Sequence, residues 1–123
     1  MALPTDDDTI LLLHNARCSK SRAALKVLEE RGVKFEERSY LETPLSVDEL
    51  KDLAQRLGRP AREWTRKGED AFAAAAIADS TDEGAWLDAI AAHPILLERP
   101  IVIRGGRAVV GRPLTNVLEL LDS

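Results

Sequence analysis

The period of the apolar positions changes several times along the chain, and each change marks an element. Thr9 to His14 (TILLLH) is a continuous apolar run of strand length, the pattern of a strand covered on both faces. Asn15-Ala16-Arg17 interrupts it. From Cys18 onward Ser21, Ala24, Leu25 and Leu28 recur at helical spacing up to Gly32, a residue suited to the left-handed position after a helix. Cys18 therefore stands where a strand gives way to a helix. Val33 to Tyr40 alternates loosely, so strand, helix and strand follow in the order of a parallel, right-handed βαβ unit.

The next stretch, about residues 46–92, reads as helical. Ser46 and Glu49 have capping-box spacing, and Val47, Leu50, Leu53, Ala54 and Leu57 form an apolar stripe that ends at Gly58. Pro60 is placed to open a short helix, and Ala71 to Ala78 is alanine-rich enough for another. Ser80 and Glu83 repeat the capping-box spacing ahead of Trp86, Leu87, Ile90 and Ala91. Beyond Pro94 and Pro100, Ile101-Val102-Ile103 and Ala108-Val109-Val110 flank Gly105-Gly106 as the arms of a β-hairpin. Pro113 fits the first turn of a last helix, with Leu114, Val117, Leu118 and Leu121 as its buried face. The order β-α-β, helical insert, β-β-α is that of an α/β, thioredoxin-like domain with a mixed four-stranded sheet. One domain is expected over residues 1–123, with a frayed acidic start at residues 1–8.

Composition narrows the functions such a domain serves. The 17 Lys and Arg against 21 Asp and Glu leave a net charge of −4, which disfavours binding nucleic acid or an anionic membrane through bulk charge. No apolar stretch approaches the length of a membrane span, and Asp6-Asp7-Asp8 replaces the basic and apolar sections of a signal peptide, so a cytoplasmic protein is expected. A single cysteine rules out an intramolecular disulfide and a cysteine-rich metal site.

The chemistry therefore centres on Cys18. At the start of a helix, free N–H groups and the positive end of the helix dipole favour the thiolate, and the same groups suit an oxyanion. Ser21, one helical turn on, is placed to donate a hydrogen bond to the sulfur, and His14 sits at the end of the preceding strand. A buried cysteine with no chemical role is the competing reading. The chain's twelve arginines against five lysines favour planar, bidentate recognition of an oxyanion.

His14-Asn15-Ala16-Arg17-Cys18-Ser19-Lys20-Ser21-Arg22, with Tyr40-Leu41-Glu42-Thr43-Pro44, Thr65-Arg66-Lys67, the run from His93 to Val102, and Gly111-Arg112-Pro113, resembles the glutaredoxin-dependent arsenate reductase family over Thr9 to about Leu121. The resemblance implies that Cys18 is the nucleophile, that Arg66, Arg99 and Arg112 bind arsenate, and that His14 and Ser21 tune the thiolate. It implies a cis bond before Pro100, no metal or bound cofactor, glutathione as co-substrate, glutaredoxin as partner protein, and a monomer. The loop Cys18-Ser19-Lys20-Ser21 is closer to one branch of relatives than to the Cys-Gly-Thr-Ser loop of well-characterised reductases, a difference that bears on substrate choice more than on fold. Two alternatives share the fold: an Spx-like transcriptional regulator binding RNA polymerase, whose second switch cysteine falls at Ser21 here, and a thiol-redox enzyme acting on another substrate.

Overall fold

Ile10–His14 (β1) is buried at every position, and the rest of the fold is assembled on its two faces. The computed structural model describes residues 3–6 and 8–122. β1 runs parallel to β2 (Phe35–Ser39) and antiparallel to β3 (Ile101–Arg104), which continues through a hairpin into β4 (Arg107–Val110). The sheet order is β2-β1-β3-β4. His14 lies opposite Ser39, and Leu13 opposite Ile101.

Because successive strand residues point to opposite faces, Ile10 and Leu12 pack with Val102, with Ala24 and Leu28 of α1 (Ser19–Glu30), and with Val117 and Leu120 of α5 (Thr115–Asp122). Leu11, Leu13, Ile101 and Ile103 face the other way. They pack against α2 (Val47–Leu57) and α4 (Glu83–Ala92) through residues such as Leu50, Leu53, Leu87 and Ile90. The mixed four-stranded sheet with helices on both faces is the one the sequence order implies. The connection from β2 to β3 runs through α2, a 3-10 turn at Ala61–Trp64, α3 (Asp70–Ala75), α4 and a second 3-10 turn at Pro94–Leu96.

The caps show which local rules hold. Ser46 Oγ accepts from the Glu49 amide while Glu49 Oε1 accepts from the Ser46 amide, each at 3.1 Å, and Gly58 ends α2 in the left-handed region. The reciprocal pair expected between Ser80 and Glu83 does not form. Asp82 caps α4 instead, accepting from the Gly84 amide at 3.0 Å, and the Glu83 carboxylate accepts from the Ala61 amide at 2.8 Å. α3 is shorter than the alanine run suggests and stops at Ala76, whose φ is 54°. In α5 the buried residues are Val117 and Leu120, with Leu118 and Leu121, and Leu114 just ahead of the helix, half-buried. Pro113 lies ahead of that helix, after a cis bond from Arg112, and not in its first turn.

The acidic start is tied down at two points inside the expected frayed stretch. Leu3 is buried in the α2 side of the core, and the Pro4 carbonyl accepts a hydrogen bond from Arg56. Met1, Ala2 and Asp7, which belong to that stretch, lie outside the described residues.

β2 carries a charge that periodicity does not foresee. Arg38 is buried and pairs with buried Glu49 of α2, Nη1 to Oε2 at 2.5 Å and Nη2 to Oε1 at 3.0 Å, while Nε and Nη2 also donate to the Thr43 and Pro44 carbonyls. Burial pushes the Glu49 carboxyl up, but Arg38 and the Ser46 amide outweigh it and hold it below the usual carboxylate range. Removing one partner of a buried pair strands the other charge, so Glu49→Gln is expected to cost about 3–5 kcal/mol in urea unfolding at neutral pH. The depressed value means that the carboxylate's contribution is present above the unfolded-state carboxylate range and is lost as pH falls through the folded value. The gap between wild type and variant should therefore narrow on acidification.

Candidate active site

The end of β1 opens into a tight turn that presents Cys18. The Cys18 amide donates to the Asn15 carbonyl at 2.9 Å, and the Arg17 amide donates to Asn15 Oδ1 at 3.0 Å. Cys18 then occupies the N-cap of α1 in an extended conformation, its carbonyl accepting from the Arg22 amide at 3.0 Å. At the N-cap the sulfur meets backbone donors that have no partner inside the helix. The Ser21 and Lys20 amides and the Arg99 guanidinium lie close enough to it to favour its ionised form. Burial is the largest single influence and pushes the thiol up, but the two amides and Arg99 together outweigh it and hold Cys18 below its ordinary value. The pH midpoint of its alkylation by iodoacetamide is accordingly expected below the ordinary cysteine value of about 8.5.

Ser21 and His14 occupy the floor of this turn. Ser21 Oγ accepts from the Asn15 amide at 3.0 Å and lies 2.8 Å from His14 Nδ1, with all three residues buried. The Ser21 hydroxyl is thus bonded to Asn15 and His14, while the backbone N–H of Ser21 is what lowers the Cys18 thiol. His14 acts on the turn through Ser21.

The three arginines singled out in the sequence come from segments stitched together by backbone bonds. An isolated antiparallel bridge pairs Thr65 with Leu97, with the Arg66 amide donating to the Leu96 carbonyl at 2.7 Å and the Glu98 amide to the Trp64 carbonyl at 3.0 Å. Arg99 precedes a cis bond to Pro100, whose carbonyl accepts from the Gly111 amide at 2.8 Å, next to Arg112. A Cβ at Gly111 would stand 2.8 Å from Pro100 Cγ and 3.0 Å from Val117 Cγ2, so only glycine permits this approach.

The side chains differ in what they face. Arg99 is turned to Cys18, and its Nε and Nη1 are buried with no hydrogen-bond partner. Arg66 pairs with Glu69 at 2.5 Å and reaches the Ile95 carbonyl at 3.5 Å. Arg112 lies 3.7 Å from Glu98, on a side chain that is 40% exposed. The site thus holds one guanidinium at the sulfur with two nitrogens unpartnered, and two more guanidiniums on neighbouring segments, each resting against a carboxylate.

Three residues of this neighbourhood had no assigned role in the sequence. Asn15 shapes the turn, Glu98 holds Arg112, and Tyr40 stands immediately after β2, buried, with an unpartnered hydroxyl. Burial pushes the Tyr40 phenol up to about 12, against the pull of the Arg99 cation and the Asn15 side chain. A signal existed in the sequence, since Tyr40 is the single tyrosine and ends the strand next to the cysteine strand. Among the described residues, no group of three or more His, Cys, Asp or Glu is placed to hold a metal ion, and no helix is long and apolar enough to cross a membrane.

Comparison with known proteins bears on the family and the fold. Residues 13–120 match the model of the ArsC family. An arsenate reductase of Neisseria meningitidis serogroup A is 49% identical over 114 residues, covering 91% of this chain and 97% of the relative. One from Haemophilus influenzae is 37% identical over 92% of this chain and 99% of its own length. The solved structure of an arsenate reductase from Vibrio cholerae superposes with a TM-score of 0.87 at 42% identity, covering 91% of this chain and 97% of that one. By sequence and by its thioredoxin-like architecture, the chain belongs to the ArsC family of arsenate reductases.

Proposed function

We propose that the chain reduces arsenate to arsenite, with Cys18 as nucleophile, glutathione as co-substrate and glutaredoxin as the protein that regenerates the thiol. The observation that carries this reading is the Arg99 guanidinium, which lies beside the Cys18 sulfur with two buried nitrogens unpartnered. A half-buried cation with two buried free donors fits an anion, and the helix-start amides favour the thiolate that attacks it. The relatives named arsenate reductases make arsenate the anion of choice.

In this mechanism Arg66 and Arg112 leave Glu69 and Glu98 and join Arg99 around the arsenate oxygens, offsetting charge that would repel a thiolate. The Cys18 sulfur donates an electron pair to arsenic, an arsenate oxygen leaves as water after protonation, and a sulfur–arsenic(V) bond forms. Glutathione then attacks the adduct. A disulfide forms between Cys18 and glutathione, the sulfur–arsenic bond breaks, and arsenic leaves as arsenite with the two electrons the thiols have lost. Glutaredoxin takes the glutathione and restores the Cys18 thiol. His14 and Ser21 hold the turn that aims the sulfur. A glutathione-dependent reaction on a lone thiol suits a reducing compartment such as the cytoplasm.

The resolving thiol comes from outside because Cys18 is the single cysteine of the chain. Brief exposure of the native protein to oxidised glutathione should add one glutathione, seen by intact mass and removed by glutaredoxin. An inert Cys18, or an adduct that glutaredoxin leaves in place, contradicts the recycling route. The activity itself is tested by arsenite formation with glutathione and glutaredoxin supplied, run beside phosphate, selenate and a small disulfide. Turnover of the disulfide alone would make this a thiol-redox enzyme with another substrate.

A further inference from the structure

Strand register places Tyr40 and Arg99 on opposite flanks of the Cys18 turn. β2 ends with Ser39 opposite His14, which sets Tyr40 beside the start of the turn, and β3 begins with Ile101 opposite Leu13, which sets Pro100 and Arg99 beside it from the other side. Both residues carry buried polar atoms without a partner: the Tyr40 hydroxyl, and Nε and Nη1 of Arg99. Tyr40 itself is 1% exposed. Buried donors are nearly always satisfied in folded proteins, and here three unsatisfied ones converge on one reactive sulfur.

We infer that Tyr40 is a substrate-contacting residue, its hydroxyl donating a hydrogen bond to an oxygen of the anion that Arg99 holds against Cys18. This rests on the reading of Cys18 and Arg99 as an oxyanion site. A phenol suits the task because it donates without adding charge and, with its ionisation pushed up to about 12, keeps its proton at every working pH. The Ser21 hydroxyl, by contrast, already has partners in His14 and Asn15 in the floor of the turn. The Asn15 side chain and the Arg99 cation lie close enough to ease ionisation of the phenol, which places the hydroxyl within reach of the site.

The test compares wild type with Tyr40→Phe for protection of Cys18 from iodoacetamide by arsenate, without any reductant. Loss of one hydrogen bond to a charged oxygen should raise the arsenate concentration needed for half-protection about ten-fold or more. The midpoint of thermal unfolding and the alkylation rate without arsenate should move little. Because the chain has one tyrosine, growth on 3-fluorotyrosine labels this site alone, and arsenate should shift its fluorine resonance. The labelled chain decides the matter even if Tyr40→Phe fails to fold. Equal protection of wild type and variant, or a resonance that arsenate does not move, overturns the assignment and leaves the reductase reading standing. Failure of arsenate to protect the wild-type thiol overturns both.

Discussion

Cys18→Ser is expected to reduce arsenite formation by about 10⁴-fold or more, to the level of the solution reaction. The hydroxyl that replaces the thiol keeps the N-cap position and is itself a favourable capping group, so the variant should fold at least as well as the wild type. What it loses is the ionised form, because a serine hydroxyl does not deprotonate under the influence of two amides and one guanidinium. Cys18 is the single cysteine, so alkylation and glutathione adduct formation should vanish together with turnover. Residual arsenite formation above a few per cent of wild type would mean that glutathione attacks arsenate directly and that Cys18 is not the nucleophile.

Arg99→Ala should lower kcat/KM for arsenate by about 10²–10³-fold, the range found when a preorganised anion donor is removed. Two effects combine. The anion loses the cation that offers it two free donors, and the Cys18 thiol loses the charge and hydrogen bond that help hold it low, so the alkylation midpoint should rise in the same variant. Arg99→Lys separates the two, since it keeps a positive charge but not the planar pair of donors. It should restore part of the thiol shift and little of the arsenate binding. Arg59, exposed beside Leu57 and Val109, supplies the control, and Arg59→Ala should leave both readouts near wild type. Equal losses in the Arg59 and Arg99 variants would show that net charge, and not the Arg99 position, governs the reaction.

What the chain discloses before folding depends on how local the cause is. The apolar run of β1, the Ser46 capping box and the Gly58 stop each involve neighbours within a few residues, so their pattern is visible on the page of the sequence. The helix start at Cys18 is visible for the same reason. The Arg38 and Glu49 pair is not, because it joins an edge strand to a helix and each residue alone resembles a solvated charge. At the start of α4, Ser80 and Asp82 both qualify as caps, and the tertiary bond from Ala61 to Glu83 removes the carboxylate that the Ser80 arrangement needs. Ser21 is a case of right residue and different atom: spacing brings it to the sulfur, but the buried His14 and Asn15 claim its hydroxyl. The identities of Arg66, Arg99 and Arg112 came from resemblance, and their present partners, Cys18 for one and carboxylates for the others, depend on contacts that no spacing rule encodes.

The Thr65 to Leu97 bridge turns the chain between Arg66 and Leu96 into a closed excursion whose two ends are clamped side by side. The separation of Arg66 from Arg99 is set by that clamp and is insensitive to how many residues the excursion contains. Lengthening a flexible loop costs only about 0.6 kcal/mol per doubling, and Ala78 and Asp79 lie exposed between α3 and α4. This stretch is therefore where insertions, affinity tags or a fused reporter domain can enter the chain without moving the arginines, and where natural variants are free to differ in length while keeping one anion geometry.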